Sequence, residues 1–199
     1  MAPAETMHRG APQHGCTRQA TLAIILAFLL GWSAALNGQP VRSAAEQSIK
    51  AAYLYKFADY VEWPAKVFAA ESVPLTIGVF GADSLAAELG EITAGRTVNG
   101  RRIEVRTIAA PAELSGVHIL FVSAASDDDL PVLADAATVH SVLVVTESRD
   151  GLERGSVINF RPVDQRIRFD VSLDSADRNR LRLSSRLLAV ADNVRPRRR

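Results

Sequence analysis

The sequence predicts an α/β fold: one layered domain with a mixed sheet of about six strands and helices on both faces. Three observations predict it. Compact apolar runs recur at LTIGVF (75–80), VHILFVS (117–123) and SVLVVT (141–146), bounded by the turn and cap residues that delimit buried strands. Segments with helical spacing and helix-start residues lie between them. Past Glu147 the pattern changes: Ile167, Phe169 and Val171 alternate with Arg166, Arg168 and Asp170, as in a hairpin strand with one wet face. Strand–helix alternation followed by a hairpin yields a sheet of mixed direction.

The chain opens with a signal for export. Residues 20–30 (ATLAIILAFLL) are apolar, follow Arg9 and Arg18, and precede the small residues Ser33, Ala34 and Ala35. That order is a secretory signal peptide over residues 1–35, cut after Ala35, with Met1 or Met7 as the start. The alternative is an uncleaved N-terminal membrane anchor, although the run falls short of the ~20 apolar residues a span needs. The lone cysteine, Cys16, precedes the apolar run, so no disulfide supports the exported domain. About 164 residues follow Ala35, enough for one real core. Basic and acidic residues balance there, and four of the basic ones fall in residues 195–199, read as a disordered basic tail. The body is therefore mildly acidic, which argues against nucleic-acid binding.

After a short lead-in (36–45), residues 48–64 (SIKAAYLYKFADYVEWP) predict an aromatic helix. Ser43 and Glu46 have capping-box spacing, and Pro64 is a stop, since it biases Trp63 away from the helical region. Ile49, Ala52, Tyr53, Lys56, Phe57, Tyr60 and Val61 would share one face. All three tyrosines of the chain lie here, so Tyr53, Tyr55, Tyr60 and Trp63 are candidate partner-binding residues. The plain reading, a core helix, is the commoner fate of such a stripe.

Residues 75–80 are the first buried strand, and Gly81 turns it into a helix begun by Asp83 or Ser84. Gly78 and Gly81 match neither a dinucleotide fingerprint nor a P-loop, so Gly81 is read as a turn residue. Asn99-Gly100 predicts a type I′ hairpin turn ahead of the strand containing Ile103 and Val105. The 117–123 strand follows, then a helix over 130–137 capped by Ser126 with Asp129 and holding Pro131 in its first turn, then the 141–146 strand. Asp127, Asp128 and Asp129 fit a helix start better than a calcium loop, and His118 and His140 have no ligand-spaced partner, so no metal is expected. Residues 155–160 and 166–171 make the hairpin, and residues 175–194 read as one closing helix carrying Leu183, Leu187, Val190, Ala191 and Val194.

No catalytic constellation is visible. A nucleophile elbow is missing, and Ser123 and Ser126 have no base singled out beside them. The expectation is a non-enzyme that uses no cofactor. Because open α/β sheets bind ligands beyond the strands' carboxyl ends, Gly81 and Ser123 are the candidate ligand cleft. A small-ligand-binding protein is the alternative function.

At residue level the chain resembles the YfiR family. The matching stretches are KAAYLYKFADYVEWP (50–64), PLTIGVFG (74–81), VNGRRIEV (98–105), HILFVS (118–123), GSVINF (155–160), RIRFDV (166–171) and LRLSSRLL (181–188). They occur in one order over nearly all of residues 46–194. The resemblance implies a periplasmic, non-catalytic regulator. It would repress a membrane-bound diguanylate cyclase through that enzyme's periplasmic sensor domain, lowering cyclic-di-GMP and so acting on biofilm formation. An outer-membrane lipoprotein that relieves repression and a homodimer are further implied partners. Many relatives carry a cysteine just before the HILF strand; Val117 stands there in this chain, so redox control of that kind is not expected.

Overall fold

The computed structural model describes residues 39–197, with side chains from residue 44. The signal peptide, the Ala35 cleavage site and the choice of start lie outside the described residues. Residues 43–199 form one compact unit.

The first helix, α1 (Gln39–Phe57), starts earlier and stops earlier than its sequence suggests. Ser43 and Glu46 are inside it and do not form its cap. Glu46 pairs instead with Lys50 one turn later. After Phe57 the chain turns and Val61–Glu62 (β1) pairs antiparallel with Arg182–Leu183 (β9). The amide of Ser184 closes this contact on the carbonyl of Tyr60 at 3.0 Å. Local periodicity continues through Val61, but a partner strand more than a hundred residues away offers the backbone a competing ladder, and Pro64 favours extended geometry just upstream.

The main sheet has eight strands in the order β10-β8-β7-β6-β5-β2-β4-β3. They are β2 (Leu75–Phe80), β3 (Thr97–Val98), β4 (Arg101–Ile108), β5 (Ile119–Val122), β6 (Leu143–Thr146), β7 (Ile158–Val163), β8 (Arg166–Ser172) and β10 (Asn193–Arg195). Strands β4, β2, β5, β6 and β7 run parallel; β8 is antiparallel to β7, and β3 to β4. The α/β class, the single layered domain and the mixed sheet hold, with more strands than the expected six or so. The additions are short edge pieces, too brief to leave a period in the sequence.

Helices cover both faces. On one, Ala51, Leu54 and Phe57 of α1, Ala58 just after it, and Leu85 and Leu89 of α2 (Asp83–Thr93) pack on Ile77, Val79, Ile119, Phe121, Val145, Phe160 and Phe169. On the other, Leu130, Leu133 and Ala137 of α3 (Leu130–His140) pack on Leu120, Val122 and Val144. The buried strands are apolar on both sides, as parallel strands between helix layers must be. Asn99 and Gly100 have φ of 49° and 78°, the positive pair that a type I′ turn requires.

The closing helix is broken. It becomes α4 (Leu173–Arg178), β9, α5 (Ser185–Val190) and β10. Arg180 adopts φ 58° and ends the first piece. Its guanidinium donates to the carbonyls of Thr138 (2.6 Å) and Val139 (3.0 Å) at the end of α3. Ser184 caps α5 by accepting from the Leu187 amide. The leucine stripe therefore serves two elements. Arg195, grouped by composition with the tail, is the last residue of β10, and Arg197 pairs with Asp177.

Candidate functional site

The sheet has its topological switch point between β2 and β5. From β2 the chain passes through α2 and β3 to β4 on one side, and from β5 through α3 to β6 on the other. Gly81 follows β2 and Ser123 follows β5, so the two cleft residues picked from sequence meet where such sheets open toward ligands. Gly81 has φ +73°, and a Cβ there would sit 2.7 Å from Ser123 Oγ and closer still to Ser126 Oγ. The two hydroxyls thus pack against the Gly81 backbone and fill the space a side chain would take. Ser123 is buried, and its Oγ has no partner among the described residues.

Around this point lies a polar network that sequence reasoning did not find. Lys50, reaching from α1, pairs with both Glu147, just after β6, and Glu46. Glu147 also accepts from the Ala124 amide (3.3 Å). Burial pulls the Lys50 ammonium down, but the two carboxylates outweigh it and hold its pKa above the ordinary lysine value. Gln47 donates to Ser84 Oγ (2.8 Å) and Ser48 to Glu88 (2.7 Å), so α1 lies polar-side against the start of α2. On the other sheet face Asp127 accepts from Ser148 Oγ and pairs with Arg154 (2.6 Å), while Thr146 Oγ1 donates to Asn159 Oδ1 (2.6 Å). Asn159 Nδ2 donates in turn to the Ser148 carbonyl (2.9 Å). Asp127 therefore ties two loops together, a more specific role than its place at a helix start suggests. These partners are far apart in sequence, and nothing local marks them. No group of three or more His, Cys, Asp or Glu able to hold a metal occurs among the described residues.

The four candidate aromatics do not share a face. Tyr53 is half-buried in a ring cluster, with centroids 5.8 Å from Phe57, 5.8 Å from Phe160 and 5.5 Å from Phe169. Tyr55 lies on the opposite flank of α1 with Lys56 and Arg96 over its ring at 5.3 and 5.5 Å. Tyr60 and Trp63 fall beyond the helix. Trp63 donates from Nε1 to the His118 carbonyl (3.3 Å) and stands edge-on to Phe68 and His118. The buried stripe of α1 is Ala51, Leu54 and Phe57, continued by Ala58 just past its end, whereas Ile49 is 44% exposed. All four are half-buried against the core; Tyr55 is the one with cations over its ring, and Tyr53 the one within the phenylalanine cluster.

These features define an α/β domain whose switch point is closed by its own side chains. A family model described as YfiR/HmsC-like matches residues 47–192, and the chain belongs to that family. No curated protein matches it. Among solved structures it is similar to a conserved domain protein from Vibrio cholerae O1 biovar El Tor strain N16961, at 13% identity and a TM-score of 0.47. That likeness covers 60% of this chain and 54% of the other, so the chain spans about half the length of that solved protein.

Proposed function

We propose that this protein is a periplasmic, non-catalytic regulator. It binds the periplasmic sensor domain of an inner-membrane diguanylate cyclase and represses it, lowering cyclic-di-GMP. The observation that carries the reading is the family match, which runs from residue 47 to residue 192 and so takes in nearly the whole compact unit. The charged groups at the sheet's carboxyl end are engaged with one another, Lys50 with Glu147 and Glu46 and Asp127 with Arg154, as in a scaffold. Export by the N-terminal signal would place the domain where a sensor domain projects from the membrane. An outer-membrane lipoprotein that competes for the same surface would relieve repression.

Deleting the gene tests this. Cyclic-di-GMP in the host should rise and fall back on complementation. Unchanged levels in the deletion strain would contradict the proposal.

A second reading, a small-ligand-binding protein, has one observation in its favour: the unpartnered Ser123 hydroxyl at the switch point. A metabolite screen by thermal shift tests it. A hit should vanish in Ser123→Ala, and a screen without any stabilising compound removes it.

A further inference from the structure

We propose that His118, Phe68 and Trp63 form an acid-sensitive latch. At neutral pH it holds residues 64–74 against the sheet; protonation of the imidazole releases that segment together with the Trp63 ring.

His118 is 0% exposed and lies just before β5. Its Nδ1 accepts from the Thr76 amide at 3.0 Å, which fixes the neutral ring with its proton on Nε2. Nε2 is buried and has no acceptor among the described residues. The ring stacks on Phe68 at 4.4 Å with 8° between planes. Arg101 lies 4.2 Å over the Phe68 ring, necessarily on its other face, since one face cannot hold two groups at that distance. The same guanidinium donates to the carbonyls of Ala70 (2.7 Å), Glu71 (2.9 Å) and Val73 (2.9 Å). Trp63 completes the stack through its hydrogen bond to the His118 carbonyl. The segment linking β1 to β2 is thus fastened at His118 by its aromatic rings and at Arg101 by its backbone.

A second proton on the imidazole reverses the contact. Nδ1–H would face the Thr76 N–H, turning a hydrogen bond into donor against donor, and Nε2–H would gain no acceptor. The surrounding charges do not help. Arg101 and Arg106 of β4 both act against the imidazolium. Glu104, beside Thr76 on β4, lies 3.9 Å from Arg102, while Lys66 and Glu71 of the 64–74 segment are exposed. Neither Thr76 of β2 nor Leu143 of β6, which flank His118, brings a titratable group. Burial, then Arg101 and Arg106, hold the closed-state imidazole down at about 4, against 6.5 for the free group. Opening of the latch therefore has its midpoint between those two values. The strand itself can stay, because the His118 backbone is paired separately with Thr76 and Leu143.

The test uses the full chain with Trp32→Phe, leaving Trp63 as the sole tryptophan. Emission is followed from pH 7.5 to 4 beside far-UV circular dichroism, and ¹⁵N shifts of the His118 ring are read over the same range. The expected result is a reversible red shift with its midpoint between about 4 and 6.5 that follows the His118 titration while the dichroism holds, and that disappears in His118→Gln. Three outcomes overturn the latch: protonation of His118 without an emission change, an identical shift in His118→Gln, or loss of dichroism together with the shift. The ring titration keeps the test decisive if the variant folds poorly.

Discussion

At the residue scale, His118, Gly81 and Phe57 carry the sharpest consequences. An imidazole whose folded-state pKa is depressed favours folding above the unfolded value and loses that contribution as pH falls. Between pH 6.5 and 4 the unfolded chain takes up a proton that closed-state His118 excludes, so stability should drop as pH falls through that window, by up to about 3 kcal/mol with the latch shut and by less once its opening lets the native ring protonate. Urea midpoints of wild type and His118→Gln at a series of pH values measure it; the variant's slope should be flatter there. Gly81→Ala faces a positive φ and the two serine hydroxyls at once, and should destabilise by at least 1–2 kcal/mol, roughly the left-handed penalty alone. Phe57 sits among three rings and is fully buried, so Phe57→Ala should lower stability by about 3–5 kcal/mol in thermal or denaturant unfolding. Residue types were legible where chemistry is local: Gly81 as a turn and Asn99-Gly100 as a hairpin both read directly. That His118 has no ligand-spaced partner was legible, but its acceptor role toward Thr76 was not, because the bond joins positions 42 residues apart.

At the scale of elements, the apolar runs of the parallel strands were plain, because burial on both sides leaves nothing but hydrophobic residues for several positions. The two ends of the fold were not. The pattern over 48–63 is helical throughout, yet the chain leaves the helix at Phe57 because β9 supplies β1 with a ladder. The leucine stripe of 183–194 has helical spacing too, yet Leu183 belongs to β9 and Leu187 to α5. Periodicity reports which residues face a core; it cannot report a break when both pieces face the same core. Ser184 separates the two possibilities. As the N-cap of α5 its replacement by alanine should cost about 1 kcal/mol, measured by chemical unfolding. Inside one continuous helix the same change would be neutral or slightly stabilising.

For the whole molecule, the candidate site was half legible. Gly81 and Ser123 follow from the strand–helix grammar, since the carboxyl ends of neighbouring parallel strands must converge. The Lys50–Glu147 and Asp127–Arg154 pairs that fill the same end join residues 97 and 27 positions apart, and charge alone does not select them. The aromatics divide by their partners: Tyr53 joins the Phe57, Phe160 and Phe169 rings, and Tyr55, half-buried at the core's margin, carries two cations over its ring. That division gives a direct test of the central claim, that this domain works by binding a membrane diguanylate cyclase. The measurement is co-purification of the cyclase from host membranes with the full chain, wild type against Tyr55→Ala, with melting temperatures taken in parallel. Wild type should retain a diguanylate cyclase, and Tyr55→Ala should lose most of it while its melting temperature falls far less than that of Phe57→Ala. If wild type retains no cyclase, the account is contradicted.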